Sequence, residues 1–419
     1  MADPLSKACV PLSGNRHYYD SDYMVHRRAE FMVTLRMYSN RTLAARCVNS
    51  QGKMDSREAD GVTNLFVSGA EYDNIFGAWD FHRIAGMSSE VDVPLMGCRG
   101  YDSWPHDMNY TTFVGGVSDG TMGAAAMNLS SGTLHVQNAW FFFDHGYVHL
   151  GASLRCATGS AVATTLAHRR LDLAEEVHVE GGTAALPLGE QNYTVEQAPS
   201  WVWMGAAGQR GQGYRPLYES AVRGGLTGRV SRNPRVLRLR TGNETGNWSR
   251  VGTSHGLDTL STFQLSFELG TCAEASSGFG YAVQASASLA EMKGEVQWVV
   301  VANTAVVQAV REGDHTIQAI FWSAGELSIS NASANIQTLR NSAPALVLVK
   351  VQAGSLIVSA SEPSGEVGAL RVEVRGDGTF TGSNCTTAAS GGTVFELTLP
   401  GKGDWQGKTM SVSCHLEGL

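Results

Sequence analysis

Residues 140–150 read WFFFDHGYVHL, an aromatic and β-branched run broken by Asp144-His145-Gly146. Alternation of apolar and polar side chains over such short runs marks strands, and a Gly-bearing break between two of them marks a turn. The same texture recurs along the chain at 133–136, 262–269, 296–301, 345–351 and 370–374. Between these runs lie turn pairs such as Gly115-Gly116, Asp119-Gly120, Gly181-Gly182 and Asp377-Gly378. Forty-eight glycines against eleven prolines suit a chain that turns often. The expected fold class is all-β, with large antiparallel sheets packed face to face.

Helical periodicity is scarce. Its clearest case is 286–293 (SASLAEMK), read as one or two turns ending at Gly294, and this is also the expected joint between a domain at 1–294 and another at 295–419. A chain of 419 residues exceeds one ordinary small core. With 43% hydrophobic and 17% charged residues it is globular, neither disordered nor collagenous. No apolar run is long enough to cross a bilayer, and the N-terminus lacks a hydrophobic signal core. A net charge of −8 argues against nucleic acid as partner. Only six of the 31 basic residues are Lys (7, 53, 293, 350, 402 and 408); the rest are Arg. That bias follows from a GC-rich genome or from a preference for the guanidinium that grips carboxylates and sulfates in pairs.

Asn-x-Ser/Thr sequons stand at Asn40, Asn109, Asn128, Asn192, Asn243, Asn247, Asn331 and Asn384, pointing to an extracellular or cell-surface glycoprotein. The seven cysteines (9, 47, 98, 156, 272, 385 and 414) have no metal-binding spacing. Cys385 and Cys414 are the best disulfide pair and Cys9–Cys47 a weaker one. The sequence calls for no cofactor and no metal.

Three groups of residues carry possible chemistry. His26-Arg27-Arg28 at a strand entrance reads as a solvated turn or as an anion clamp. His145 and His149 fall on one strand face, without a third ligand for a metal. Trp79-Asp80-Phe81-His82-Arg83 places an aromatic ring, a carboxylate, an imidazole and a guanidinium within five residues. Aromatic faces beside Arg suit sugars bearing carboxylates; the alternative is a buried Trp beside an ion pair.

In order, several segments resemble polysaccharide lyase family 8, the hyaluronate, chondroitin AC and xanthan lyases. They include 23–28 (YMVHRR), 37–41 (MYSNR), 60–63 (DGVT), 79–86 (WDFHRIAG), and most specifically 113–127 (FVGGVSDGTMGAAAM) followed by 139–144 (AWFFFD). Thr164-Thr165-Leu166, Gly246-Asn247-Trp248, 281–283, 303–310 and 321–325 (FWSAG) continue the match, so that it spans roughly residues 10–360. The resemblance implies a central super-sandwich, a C-terminal β-sandwich, and β-elimination at a uronic acid. In that reaction the sugar carboxylate is neutralised, a base takes the C5 proton and the oxygen at C4 leaves.

In the family, the Tyr, His, Arg and an Asn that perform this chemistry come from an N-terminal α/α toroid, while the super-sandwich adds a supporting Glu and Asn. Counted from Asn40-Arg41, the Glu position here is Arg46 and the Asn position Asn49. A carboxylate has become a cation where an acidic substrate would approach. The expected substrate-binding residues are therefore Asn49, Arg46, Trp79, His82, Arg83, His26, Arg27 and Arg28, with no catalytic residue assigned. Three readings follow: the β-portion of a lyase with little turnover by itself; a non-catalytic binder of glycan or protein on the lyase scaffold; and a new site within the sandwich around Trp79, His82 and Arg83. The expected partner is an acidic polysaccharide or another protein chain.

Overall fold

A computed structural model of the chain describes residues 12–42, 44, 50–54, 57–95, 111–180, 182–183, 189–194, 196–217, 236–272, 278–296, 298–329, 336–376, 380–382, 385–388 and 391–416. Arg46 and Asn49, Cys9, Cys47 and Cys98, the sequons at 109, 331 and 384, and the turn residues Gly181, Asp377 and Gly378 lie outside them. The described residues contain five antiparallel sheets and no α-helix.

The first sheet is a four-stranded meander of Gly14–Tyr18, Tyr23–Arg27, Met32–Arg36 and Val62–Phe66. A nine-stranded sheet forms the centre. One half is the consecutive series Val114–Ser118, Gly123–Ser131, Leu134–Phe143 and Gly146–Arg155, and Gly278–Ala287 pairs beside the last of these. A five-stranded sheet is built on the long hairpin of Val236–Asn247 with Leu257–Thr271, flanked by Ala161–Arg170. From Trp298 onward the chain makes a seven-stranded and a five-stranded sheet packed on each other.

The aromatic run at 140–143 explains the layering. Trp140 and Phe142 join Met24, Leu35, Tyr281 and Phe267 in one core, between the nine-stranded sheet and the two sheets on that side. Phe141 and Phe143 point the other way and join Trp298, Val310, Ile320 and Leu348 of the C-terminal part. Side chains alternate faces along a strand, so four aromatics in sequence serve a strand covered on both sides. Buried amides bolt the layers together: Asn303 Nδ2 donates to the carbonyls of Gly151 and Phe279 at 3.2 Å each, and Gln318 Nε2 donates to that of Phe142 at 3.0 Å. Each bond gives a partner to a buried N–H donor that would otherwise be costly inside a core.

Two local readings change. The helical segment at 286–293 is instead the end of strand Gly278–Ala287 followed by a single 3-10 turn, Glu291–Lys293. Ser288 and Glu291 form a reciprocal cap there: the Ser288 amide donates to the Glu291 carboxylate and the Glu291 amide to the Ser288 hydroxyl. The flanking residues are claimed by the sheet, so the helix does not propagate. His145 and His149 also do not share a strand, because His145 sits in the turn between Leu134–Phe143 and Gly146–Arg155.

Cys385 and Cys414 form a disulfide in the C-terminal part. A second disulfide, Cys156–Cys272, had no signal in the spacing; it joins the end of strand Gly146–Arg155 to that of Leu257–Thr271, in two different sheets.

Candidate functional site

Among the described residues, a cleft lies where residues 50–54 and Glu58 meet the tip of the long hairpin. The two are zipped together: the Lys53 amide donates to the Val251 carbonyl at 3.2 Å, Lys53 Nζ to the Ser249 carbonyl at 3.1 Å, and Gln51 Nε2 to Thr253 Oγ1 at 2.7 Å. The end of the Gln51 side chain lies close against the backbone at Gly252, where a Cβ would meet its carboxamide. The hairpin tip is shaped by a 3-10 turn, Trp248–Arg250, capped by Asn247, whose Oδ1 accepts from the amide and hydroxyl of Ser249 at 3.0 and 2.6 Å. The half-exposed Trp248 and the exposed Phe76 stand in its wall, with Phe81, Met54 and Val251 behind them and Gln51, Glu58 and Ser254 as polar lining. Its volume is about 620 Å³, within the range of clefts that hold a small ligand.

Trp79 does not line this cleft. It is buried in a small core with Ile75, Phe81, Ile84 and Met87, on which Met54 and Val251 also pack, and its indole N–H donates to the His168 carbonyl at 3.4 Å. It supports the cleft from behind and presents no face to solvent. His82 is held by its own backbone turn, with Nε2 2.7 Å from the Val93 carbonyl. Arg83 reaches Glu268 at 3.0 Å and Asp80 at 3.7 Å. Burial pushes the Asp80 carboxyl up, but hydrogen bonds from His82 and the charges of His168 and Arg83 outweigh it and hold the group well below the usual carboxylate range. His168 is moved down to about 4 by burial, with Arg240 and Arg83 adding to it and Asp80 opposing. The structure thus brings Asp80, His82 and Arg83 together, as a staple between the 79–95 segment and the five-stranded sheet.

The basic triplet lies elsewhere. His26 is buried, with Nε2 2.8 Å from the Phe143 carbonyl, and burial together with the charge of Arg28 lowers it to about 3. Arg28 pairs with Asp144 at 2.7 Å and donates to the Thr121 carbonyl, while Arg27 is exposed. None of the three is among the cleft-lining residues. Asn40, Asn128, Asn192 and Asn243 are exposed, but Asn247 spends its side chain on the cap.

The cleft residues Gln51, Phe76, Val251 and Ser254 escaped the reading of the sequence, because nothing in a linear chain sets a hairpin tip near residue 250 against a loop near residue 52. Of the lining, Trp248 lies in the 246–248 segment and Phe81 in the 79–83 segment that the sequence singles out. Among the described residues, the one cluster with metal-ligand geometry is Glu90 with Cys156 and Cys272, and both sulfurs are already joined to each other.

Comparison with known proteins fits this architecture. Residues 13–296 match the model of the polysaccharide lyase family 8 super-sandwich domain, and 299–370 that of the family's C-terminal β-sandwich domain. Chondroitinase-AC of Pedobacter heparinus is 29% identical over 358 residues, covering 83% of this chain and 46% of that protein. Xanthan lyase of Bacillus sp. (strain GL1) is 26% identical over 340 residues, covering 77% of this chain and 34% of that one. A chondroitinase AC lyase structure, from work on its oligosaccharide complexes, superposes with a TM-score of 0.78 at 26% identity, over 95% of this chain and 54% of that one. Paenibacillus xanthan lyase gives a TM-score of 0.81 at 19% identity, over 99% of this chain and 39% of that one, a likeness of fold. The chain spans less than half the length of these two curated relatives.

Proposed function

Because the chain belongs to polysaccharide lyase family 8, we propose that it is the uronic-acid-polysaccharide-binding β-portion of a protein of that class, and that by itself it turns such polymers over poorly. The observation that carries this reading is the cleft. It is walled by Trp248 and Phe76 and formed by the segment immediately after Arg46 and Asn49, the two positions where the resemblance puts the family's supporting pair. Exposed aromatic edges give stacking surfaces for sugar rings, and Lys53 and Arg250 supply positive charge in the same segments.

Slow turnover follows from the chemistry. β-Elimination needs a base at C5 and a proton for the leaving oxygen. The lining supplies Glu58 as its single ionisable side chain among the described residues, and its Oε2 stands 3.4 Å from Nη1 of Arg36. No cofactor enters the proposal. Exposed sequons and two disulfides support an extracellular or cell-surface setting. Arg46 in place of a carboxylate favours the second reading, a binder on the lyase scaffold that has given up catalysis.

The test is ultraviolet absorbance of the purified chain with hyaluronan, chondroitin sulfates and alginate, beside a direct binding measurement. A flat trace with saturable binding is expected. Unsaturated uronide appearing at enzymatic rates would overturn the low-turnover reading, and absence of binding to all three polymers would overturn the assignment of the cleft.

A further inference from the structure

Four charged side chains are packed behind one wall of the cleft. Glu58, which lines it, has Oε2 3.4 Å from Nη1 of Arg36. Two residues on, Asp60 is fully buried, accepts from the Ser131 hydroxyl at 2.9 Å, and lies 3.9 Å from Nη1 of Arg57. That arrangement is incomplete: Asp60 Oδ1 and Arg57 Nη1 are both buried without a hydrogen-bond partner among the described residues. The 57–60 turn cannot easily relax to improve it. Gly61 follows at φ +90°, held against the Trp140 ring, where a Cβ would stand only 2.7 Å from the indole.

With both carboxylates ionised the two guanidiniums are balanced. With Asp60 protonated, the cluster carries one net positive charge and Arg57 loses its partner. We propose that Asp60 is a positioning residue for capture of an acidic polysaccharide: its carboxylate holds Arg57 inward and cancels its charge, and its protonation turns the wall of the cleft positive. This rests on the reading of the cleft as the glycan site. Among the described residues, the groups that face Asp60 are Arg57 from its own turn, Arg36 from strand Met32–Arg36 and the Ser131 hydroxyl from strand Gly123–Ser131. Burial outweighs all three and pushes the Asp60 carboxyl up to about 6, so the switch falls in a mildly acidic range.

The experiment is calorimetric titration of the whole chain with a chondroitin sulfate oligosaccharide, whose sulfates stay charged throughout, at pH 7.5 and pH 5. Wild type is expected to bind about fivefold tighter at the lower pH, the effect of one added charge near a partly screened anion. Asp60→Asn, which keeps the shape and removes the charge, is expected to bind with nearly the same affinity at both, close to the wild-type value in acid. All histidines remain in that variant, so any pH dependence it retains is theirs. Ser131→Ala removes a bond to the carboxylate and is expected to move the midpoint upward; should Asp60→Asn fail to fold, this shift alone decides. If wild type binds equally at the two pH values, or Asp60→Asn keeps the wild-type profile, the role of Asp60 is wrong while the cleft assignment stands. If wild type binds at neither pH, both fall.

Discussion

Arg41 donates to the backbone carbonyl of Pro363, 322 residues later, at 2.6 Å, while the same guanidinium grips the fully buried Asp22 at 2.5 Å and donates to the Val114 carbonyl at 3.1 Å. One side chain thus ties the N-terminal meander, the central sheet and the C-terminal part. Ser39 and Thr42 also donate to Asp22, so the carboxylate is well held as long as its cation is present. Arg41→Ala strands that buried charge, and removing one partner of such a pair costs about 3–5 kcal/mol. A large fall in the urea midpoint is expected. Arg41→Lys, which keeps the charge but not the fork, should recover only part of it.

Trp248 is the side chain on which the cleft's ligand reading leans most. Trp248→Ala is expected to weaken hyaluronan or chondroitin sulfate binding about tenfold, the loss of roughly 1.4 kcal/mol of stacking. The ring is half-exposed, so the melting temperature should change little. Equal affinity in the variant and wild type would remove this wall from the site.

Stability should depend on pH with a definite sign. His26 and His17 are both lowered to about 3, chiefly by burial. Between there and the unfolded value near 6.5, the unfolded chain binds protons that the native one does not. Each therefore contributes a loss of about 1.4 kcal/mol per pH unit as pH falls through that window, and no change above it. Asp60 acts in the opposite sense from about 6 down to the ordinary carboxylate value, because there the native state holds the extra proton. Urea unfolding at pH 7 and pH 4.5 should show the wild type less stable in acid. His26→Gln should reduce the difference.

The Cys156–Cys272 bond closes 116 residues of chain between two sheets. Cross-links of that span stabilise by up to about 4–5 kcal/mol in the chain-entropy account. A Cys156→Ser, Cys272→Ser double variant is expected to melt well below wild type, and reduction of wild type should lower its melting point toward that of the variant.

Much of the architecture was legible because strands announce themselves. The runs at 140–143, 146–150, 262–269 and 345–351 lie in strands, and Cys385 found Cys414 because both fall in the last few strands. The site was less legible, for reasons of geometry. An aromatic next to Arg reads the same whether its ring faces water or the core, and Trp79 turns inward because Ile75, Ile84 and Met87 surround it. His26 sits in a basic triplet, but strand alternation sends it under Phe143 while Arg27 goes to solvent. The second disulfide and the hairpin tip at Trp248 depend on contacts between segments far apart in sequence, which no local pattern encodes.

The four consecutive aromatics at 140–143 bear on how such genes can be cut and recombined. Phe141 and Phe143 share a core with Trp298, Val310, Ile320 and Leu348, which the chain supplies from Trp298 onward. A gene ending at Gly294 would synthesise a sheet with an oily back, prone to self-association. Exchanging the last third between relatives would likewise succeed only when both faces of that seam are transferred as a matched set.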